Sequence, residues 1–233
     1  QELKVLNISD LRSVSDNAMM NIISASLSPS LRLTKLDLNG NDSVTDDTLA
    51  QLSNGLVVMK NTLEELSICR CRNVSANGLV QFSYVFHKAD LKLKRFRLAC
   101  NAINDYVILS LVEGLCKDSC LEELNIGSST LTIGSHGWSA LAGLLQKKSS
   151  ELRELYIHNN GVDDDIFDIL AKALIENKKL QKLYLGVRPS LTARGWHTLS
   201  NLLCNTSSIK ATRYSNHTLC NLGQDSGAPL EIK

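Results

Sequence analysis

One nine-residue phrase recurs along this chain, and it leaves few folds open. Its clearest copy is LRELYIHNN, from Leu152 to Asn160, where Leu152, Leu155, Ile157 and Asn160 follow the pattern L-x-x-L-x-L-x-x-N. The alternation of apolar and polar residues reads as a short strand. The segment after it reads as a helix. Val162 is an apolar anchor, Asp163 and Asp164 suit an N-cap and first turn, and Ile166, Ile169, Leu170, Ala173 and Leu174 fall at helical spacing. One strand and one helix in about 28 residues cannot cover an apolar face, so such a unit needs neighbours.

The neighbours are present. The same opening starts at Leu3, Leu33, Leu63, Leu93, Leu121, Leu152 and Leu180, and in degraded form at Ile209; successive starts lie 28 to 31 residues apart. Repeats of this length and pattern resemble the ribonuclease-inhibitor-like branch of leucine-rich-repeat proteins. The resemblance covers Leu3 to about His217. It implies an α/β leucine-rich-repeat solenoid, a curved horseshoe with a parallel β-sheet on the concave face and α-helices on the convex face. Residues 1–233 are expected to form a single array of about seven repeats plus a degenerate strand near 209. The array is expected to be part of a longer protein, because Leu3, Leu6 and Ile8 open it with no polar cap before them.

The asparagine closing the phrase has a structural purpose. Turned inward, its amide can bond the backbone groups that strand and helix leave free. Asn41, Asn101 and Asn160 can do this fully, and Cys71 and Ser129 partly, which makes these five the expected ladder. Leu11, Arg188 and His217 depart from it. Two later repeats echo each other: GWSALAGLL from Gly137 and GWHTLSNLL from Gly195 put Trp138 and Trp196 at equivalent helix starts, each expected to pack on a neighbouring helix, the alternative being an exposed aromatic contact on the convex side.

Parallel strands need right-handed crossovers, here the helices, and the resemblance implies that helices cover only one face and leave the other as an open concave surface. Its central column reads Asn7, Asp37, Ser67, Arg97, Asn125, Tyr156, Tyr184 and Arg213, and the next column includes Asn39, Gly127, His158 and Gly186. Flanking charges alternate, as in Lys35, Glu65, Arg95 and Glu123, and are expected to pair across strands until Glu154 interrupts them. Arg97 faces neutral neighbours in its own column. Exposed Tyr and Arg are the residue types that anchor protein interfaces. The candidate partner-binding patch is therefore Tyr156, His158, Tyr184 and Arg213, with Arg97 and Asp37 outlying. The alternative for Tyr156 and Tyr184 is a purely structural cross-strand stack.

Composition narrows the function. With 25 basic and 24 acidic residues the net charge is +1, which gives no electrostatic case for nucleic acid or an anionic membrane. Seven cysteines, an odd number, suit a reduced, intracellular, cytoplasmic protein. Cys69-x-Cys71 and Cys116-x-x-x-Cys120 lack the paired spacing of zinc sites, so no metal is expected. No catalytic or nucleotide-binding motif occurs, so no catalytic residue, cofactor or small-molecule substrate is expected. These points lead to a monomeric, non-enzymatic protein–protein interaction module that binds through the concave face. The alternative is an enzyme-regulating role, such as GTPase activation, with Asp37, Asn39 and Asn125 as its polar edge.

Overall fold

The structure, a computed structural model, describes residues 3–11, 13–27, 31–116, 120–186 and 190–223. Among them seven short strands form one parallel sheet in chain order: β1 (Val5–Asn7), β2 (Lys35–Asp37), β3 (Glu65–Ser67), β4 (Arg95–Arg97), β5 (Glu123–Asn125), β6 (Glu154–Tyr156) and β7 (Lys182–Tyr184). The register aligns Leu6, Leu36, Leu66, Phe96, Leu124, Leu155 and Leu183 in one row. Those from Leu36 onward are at most 1% exposed, so the row is the spine of the core. The crossovers carry α1 (Asp16–Ser26), α2 (Asp46–Val58), α3 (Ala76–Ser83), α4 (Val85–Lys88), α5 (Asp105–Leu115), α6 (Ser135–Gln146), α7 (Asp164–Glu176) and α8 (Ala193–Leu203). Packed helices need about 8–10 Å and paired strands about 4.8 Å, so an array with one of each per repeat must bend with the sheet inside. The result is the curved α/β solenoid, with strands concave and helices convex.

Local chemistry sets each crossover. The side chains of Ser15, Thr45, Ser75, Asn104 and Asp163 accept the N3 backbone N–H of α1, α2, α3, α5 and α7. Each of the first six strands leaves through a left-handed residue three positions on: Asp10, Gly40, Arg70, Cys100, Ser128 and Asn159, with φ of 54–69°. Only Gly40 adopts this without a Cβ penalty. The first five are held by backbone bonds to the next repeat, as Arg70 N–H donates to Ala99 O at 3.0 Å and Cys100 N–H to Gly127 O at 2.9 Å. The sheet's hydrogen bonding thus continues past the strands into the turn.

Two side-chain ladders tie the repeats together with a two-repeat period. In the first, Asn41, Asn101 and Asn160 reach back one repeat: their Oδ1 atoms accept the N–H of Leu11, Cys71 and Ser129 at 2.8–3.0 Å. Their amides donate to the carbonyls of Ile8, Ile68 and Ile126. Cys71 Sγ and Ser129 Oγ also reach back one repeat, donating to Leu38 O at 3.5 Å and Ile103 O at 2.6 Å, but with a single donor each they fill only part of the asparagine's place. The second ladder reaches forward. Asp46, Asp105 and Asp164, each the first residue of its helix, accept N–H groups at the start of the next helix: Ser75, Gly134 and Thr192. Glycine recurs three residues along, because a Cβ at Gly78, Gly137 or Gly195 would lie 2.0–2.6 Å from the aspartate carboxylate. Each even-numbered repeat therefore clamps both neighbours.

The structure corrects the last repeat. No strand forms at Ile209; residues Ile209–Tyr214 are a short helix, α9. Ser208 caps it, its Oγ accepting the Ala211 N–H, and the segment lacks the apolar alternation of a strand. The sheet instead resumes at Cys220 and Asn221, where Asn221 bridges Lys182 in parallel and its carbonyl accepts the Leu183 N–H at 2.9 Å. Leu219 thus takes the place of Leu180. The step between them is 39 residues, against 28 from Leu152 to Leu180. Asn177 and Asn216 mark the equivalence, each Oδ1 accepting the N–H groups two and three residues ahead. His217 is accordingly no ladder residue, and Arg188 lies outside the described residues. The tryptophans also part. Trp138, on α6, is fully buried, its Nε1–H donating to Ile133 O at 3.0 Å, while Trp196 at the equivalent place on α8 is 46% exposed.

Candidate functional site

The open face of the sheet presents three rows of side chains at fixed spacing. In the first row Lys35 and Arg95 both pair with Glu65, Arg95 also reaches Glu123 at 3.6 Å, and Lys182 pairs with Glu154 at 2.7 Å. Burial opposes ionisation of Glu65, yet Lys35 and Arg95 outweigh it and hold the carboxyl below its usual range. Glu154 likewise stays low despite burial, through Lys182 and the Tyr156 hydroxyl. The alternation fails once, where Glu123 and Glu154 stand opposite each other in register. The two carboxylates diverge: Glu123 turns to Arg97 and Arg95, and Glu154 to Lys182 and Tyr156.

That divergence changes the reading of Arg97. Its neighbours in the central row are neutral, but its guanidinium runs diagonally to Glu123, with Nε–Oε1 at 2.6 Å and Nη2–Oε2 at 2.9 Å. It is a bidentate structural pair, with Arg97 half-buried and the Glu123 side chain only 9% exposed. Burial disfavours its charge, but Glu123 outweighs that and raises its affinity for the proton. Sequence reasoning missed the pair by considering one column at a time. Asp37 sits at the other end of the row, where its Oδ1 accepts the Asn39 N–H at 3.1 Å. Asn125 closes a similar turn, its Oδ1 accepting the Gly127 N–H, whereas Asn39 Oδ1 reaches across to the next repeat and accepts from Ser67 Oγ and the Cys69 N–H. These polar groups are spent on the scaffold.

Tyr156 and Tyr184 stack in adjacent strands, with ring centroids 4.1 Å apart and planes 6° from parallel. Tyr156 Oη donates to Glu154 Oε2 at 2.8 Å. Burial and this bond push the phenol well above its ordinary range, so it remains a neutral donor. Gly223 closes on the ring of Tyr184, where a Cβ would lie 1.8 Å from Cε1. His158 lies beside the pair in the third row and is buried in the spaces left by Gly127 and Gly186; a Cβ on Gly127 would meet its ring at 2.3 Å. The structure thus gathers Tyr156, Tyr184 and His158, keeps Arg97 and Asp37 farther along the sheet, and removes Arg213. That residue is exposed on α9, because the sheet pairing expected near Ile209 occurs instead at Asn221.

Reactive groups are muted elsewhere. Burial raises the Cys69 thiol and pushes Cys71 up to about 12, so neither is a thiolate at neutral pH. Among the described residues no group of three or more His, Cys, Asp or Glu is placed to hold a metal ion, and no helix is long and apolar enough to cross a membrane.

No family model matches the chain. A ribonuclease inhibitor from Mus musculus is 30% identical over 189 residues, 80% of this chain and 40% of that protein. A NACHT, LRR and PYD domains-containing protein 12 from the same species is 30% identical over 202 residues, 84% of this chain and 18% of that protein. The chain therefore spans less than half the length of either relative. Among solved structures, the tropomodulin C-terminal domain from Caenorhabditis elegans aligns over 86% of this chain and 93% of that one, with a TM-score of 0.45 and 12% identity. The repeated phrase, the strand–helix units in one parallel sheet and the two mouse relatives agree: the chain is a leucine-rich-repeat protein of the ribonuclease-inhibitor-like type.

Proposed function

We propose that the chain is a non-enzymatic protein-interaction module, monomeric and cytoplasmic, that holds a protein partner against its concave sheet face. The observation that carries this reading is the Tyr156–Tyr184 stack. Both rings are fixed by each other, by the Glu154 bond and by Gly223 before any partner arrives. Docking on pre-ordered aromatic surface costs little further side-chain entropy. His158 floors the patch, and Arg97 and Asp37, already bonded within the sheet, border it toward the first repeats. The first two rows are charge-balanced, with Lys35, Arg95, Arg97 and Lys182 against Asp37, Glu65, Glu123 and Glu154. A polyanion gains nothing from such a face, which favours a protein partner over nucleic acid or lipid. The name of the mouse relative, an inhibitor of a ribonuclease, supports a role exercised by binding.

The test is a quantitative pull-down from source-cell lysate with wild type and a Tyr156→Ala/Tyr184→Ala variant. The reading expects at least one partner recovered by wild type to fall by tenfold or more on the variant. Equal recovery of every partner by both proteins would discard the patch.

A further inference from the structure

A second surface lies away from the concave face, on the insertion that displaced Arg213. Asn216 N–H donates to Leu202 O much as Asn177 N–H donates to Leu174 O, so residues between 203 and 215 form an excursion from the repeat. Its neck is tied: Ser215 Oγ accepts the Asn205 N–H at 2.9 Å, and Thr212 Oγ1 donates to Asn205 O at 2.8 Å. The excursion is therefore a fixed projection. The helix at its tip buries none of its residues. Ile209 is 91% and Tyr214 62% exposed, the largest apolar exposures on the excursion. Lys210 and Arg213 stand beside them, also exposed.

The sequence of this stretch is one-sided in charge, bounded by the exposed Glu176, in a chain whose net charge is only +1. From Asn177 to Gly223 the sequence has seven Lys or Arg and no Asp or Glu, whereas residues 1–176 carry 17 basic and 22 acidic residues. Three of the seven are neutralised by the preceding repeat: Lys179 by Glu151, Lys182 by Glu154, and Arg194 by Asp164, Asp165 and Asp168. Arg188 lies outside the described residues, and Lys178, Lys210 and Arg213 have no carboxylate partner among the described residues. Lys178 belongs to the same end of the array, since the adjacent Asn177 carbonyl accepts from Asn216 and Thr218.

We propose that the α9 projection is a second docking site, for an acidic protein segment that carries an apolar side chain. Its carboxylates face Lys178, Lys210 and Arg213, and its apolar residue covers Ile209 and Tyr214. Two large apolar side chains among three cations favour a peptide over a nucleic acid, which is held mainly through many phosphate contacts. The site is separate from the concave patch, so a single partner could engage both or two partners one each.

The test is selection from a random dodecapeptide display library on the wild-type chain, with counter-selection on Lys210→Glu/Arg213→Glu. Both substituted side chains are exposed, and circular dichroism checks that the variant keeps its fold. The expected result is a pool enriched in Asp and Glu with at least one large apolar residue. Its members should bind at least tenfold more weakly to the charge-reversed variant, weaken with added salt, and bind unchanged to Tyr156→Ala/Tyr184→Ala. The last comparison separates this site from the concave-face reading, since peptides lost on the tyrosine variant report on the other surface. No variant-sensitive peptides, or a pool no more acidic than the starting library, would overturn the proposal. Tighter, variant-sensitive binding of a single-stranded oligonucleotide would replace it with a nucleic-acid site.

Discussion

Replacing Asn101 with alanine removes the middle rung of the asparagine ladder. Asn101 is 2% exposed; its Oδ1 accepts the Cys71 N–H at 3.0 Å, and its amide donates to Ile68 O and, at 3.0 Å, to Leu98 O. Alanine leaves one buried N–H and two carbonyls without these partners. An orphaned buried group costs about 1–3 kcal/mol, with carbonyls at the lower end because of their second lone pair, so the expected loss is about 3–5 kcal/mol. Domain stabilities are about 5–15 kcal/mol, so this is a large share. Ser129→Ala is the internal control. Ser129 Oγ donates to Ile103 O at 2.6 Å in a half-buried site, and its loss should cost about 1 kcal/mol. Urea denaturation of both variants gives the difference, and amide hydrogen exchange should show the Cys71 N–H losing protection in Asn101→Ala alone. An Asn101→Ala variant within 1 kcal/mol of wild type, or a Ser129→Ala variant equally damaged, would refute the ladder argument.

Three further expectations follow from the same geometry. Gly195→Ala should lower stability by about 1–3 kcal/mol despite alanine's better helix propensity, because its Cβ would sit 2.3 Å from Asp164 Oδ1; Gly143→Ala, with open space around it, should raise stability by about 0.5–1 kcal/mol in the same thermal melts. Arg97→Ala leaves the Glu123 carboxylate with only the more distant Arg95, for a loss of about 1–2 kcal/mol by denaturant titration after discounting for the solvent access of Arg97. Glu65 has a folded pKa below its ordinary value of 4.5, so the unfolded chain binds its proton first; its stabilising contribution is full above that value and fades as pH falls through the folded one. The melting temperature of Glu65→Gln should therefore fall less than that of wild type between pH 6 and pH 3, and parallel curves would contradict this.

The parts of the fold most legible in the sequence are those where one residue type has one physical task. Leu36, Leu66, Leu155 and Leu183 are apolar at a fixed offset because each must enter the same row. Thr45, Asn104 and Asp163 precede helices because each caps one. The illegible parts depend on pairs. Arg97 finds Glu123 across strands and one residue row down, a contact invisible to a reading by columns. The aspartate clamp needs Asp46 and Gly78 together, although Asp46, Asp105 and Asp164, and likewise Gly78, Gly137 and Gly195, recur at steps of 58 or 59 residues. The strand expected near Ile209 followed from assuming an even repeat length. The better signal was Asn-x-x-Leu before a strand, present as Asn177-Lys-Lys-Leu180 and again as Asn216-His-Thr-Leu219.

The central functional claim is that a partner lies in the concave trough over the tyrosine stack. A photoreactive phenylalanine derivative placed at position Tyr184, and in a separate protein at Lys172 on the convex helix α7, tests it by covalent capture from source-cell lysate. The account predicts a partner cross-linked from the Tyr184 position and not from Lys172. Capture of the same partner from Lys172 alone would place the contact on the helical side and contradict it.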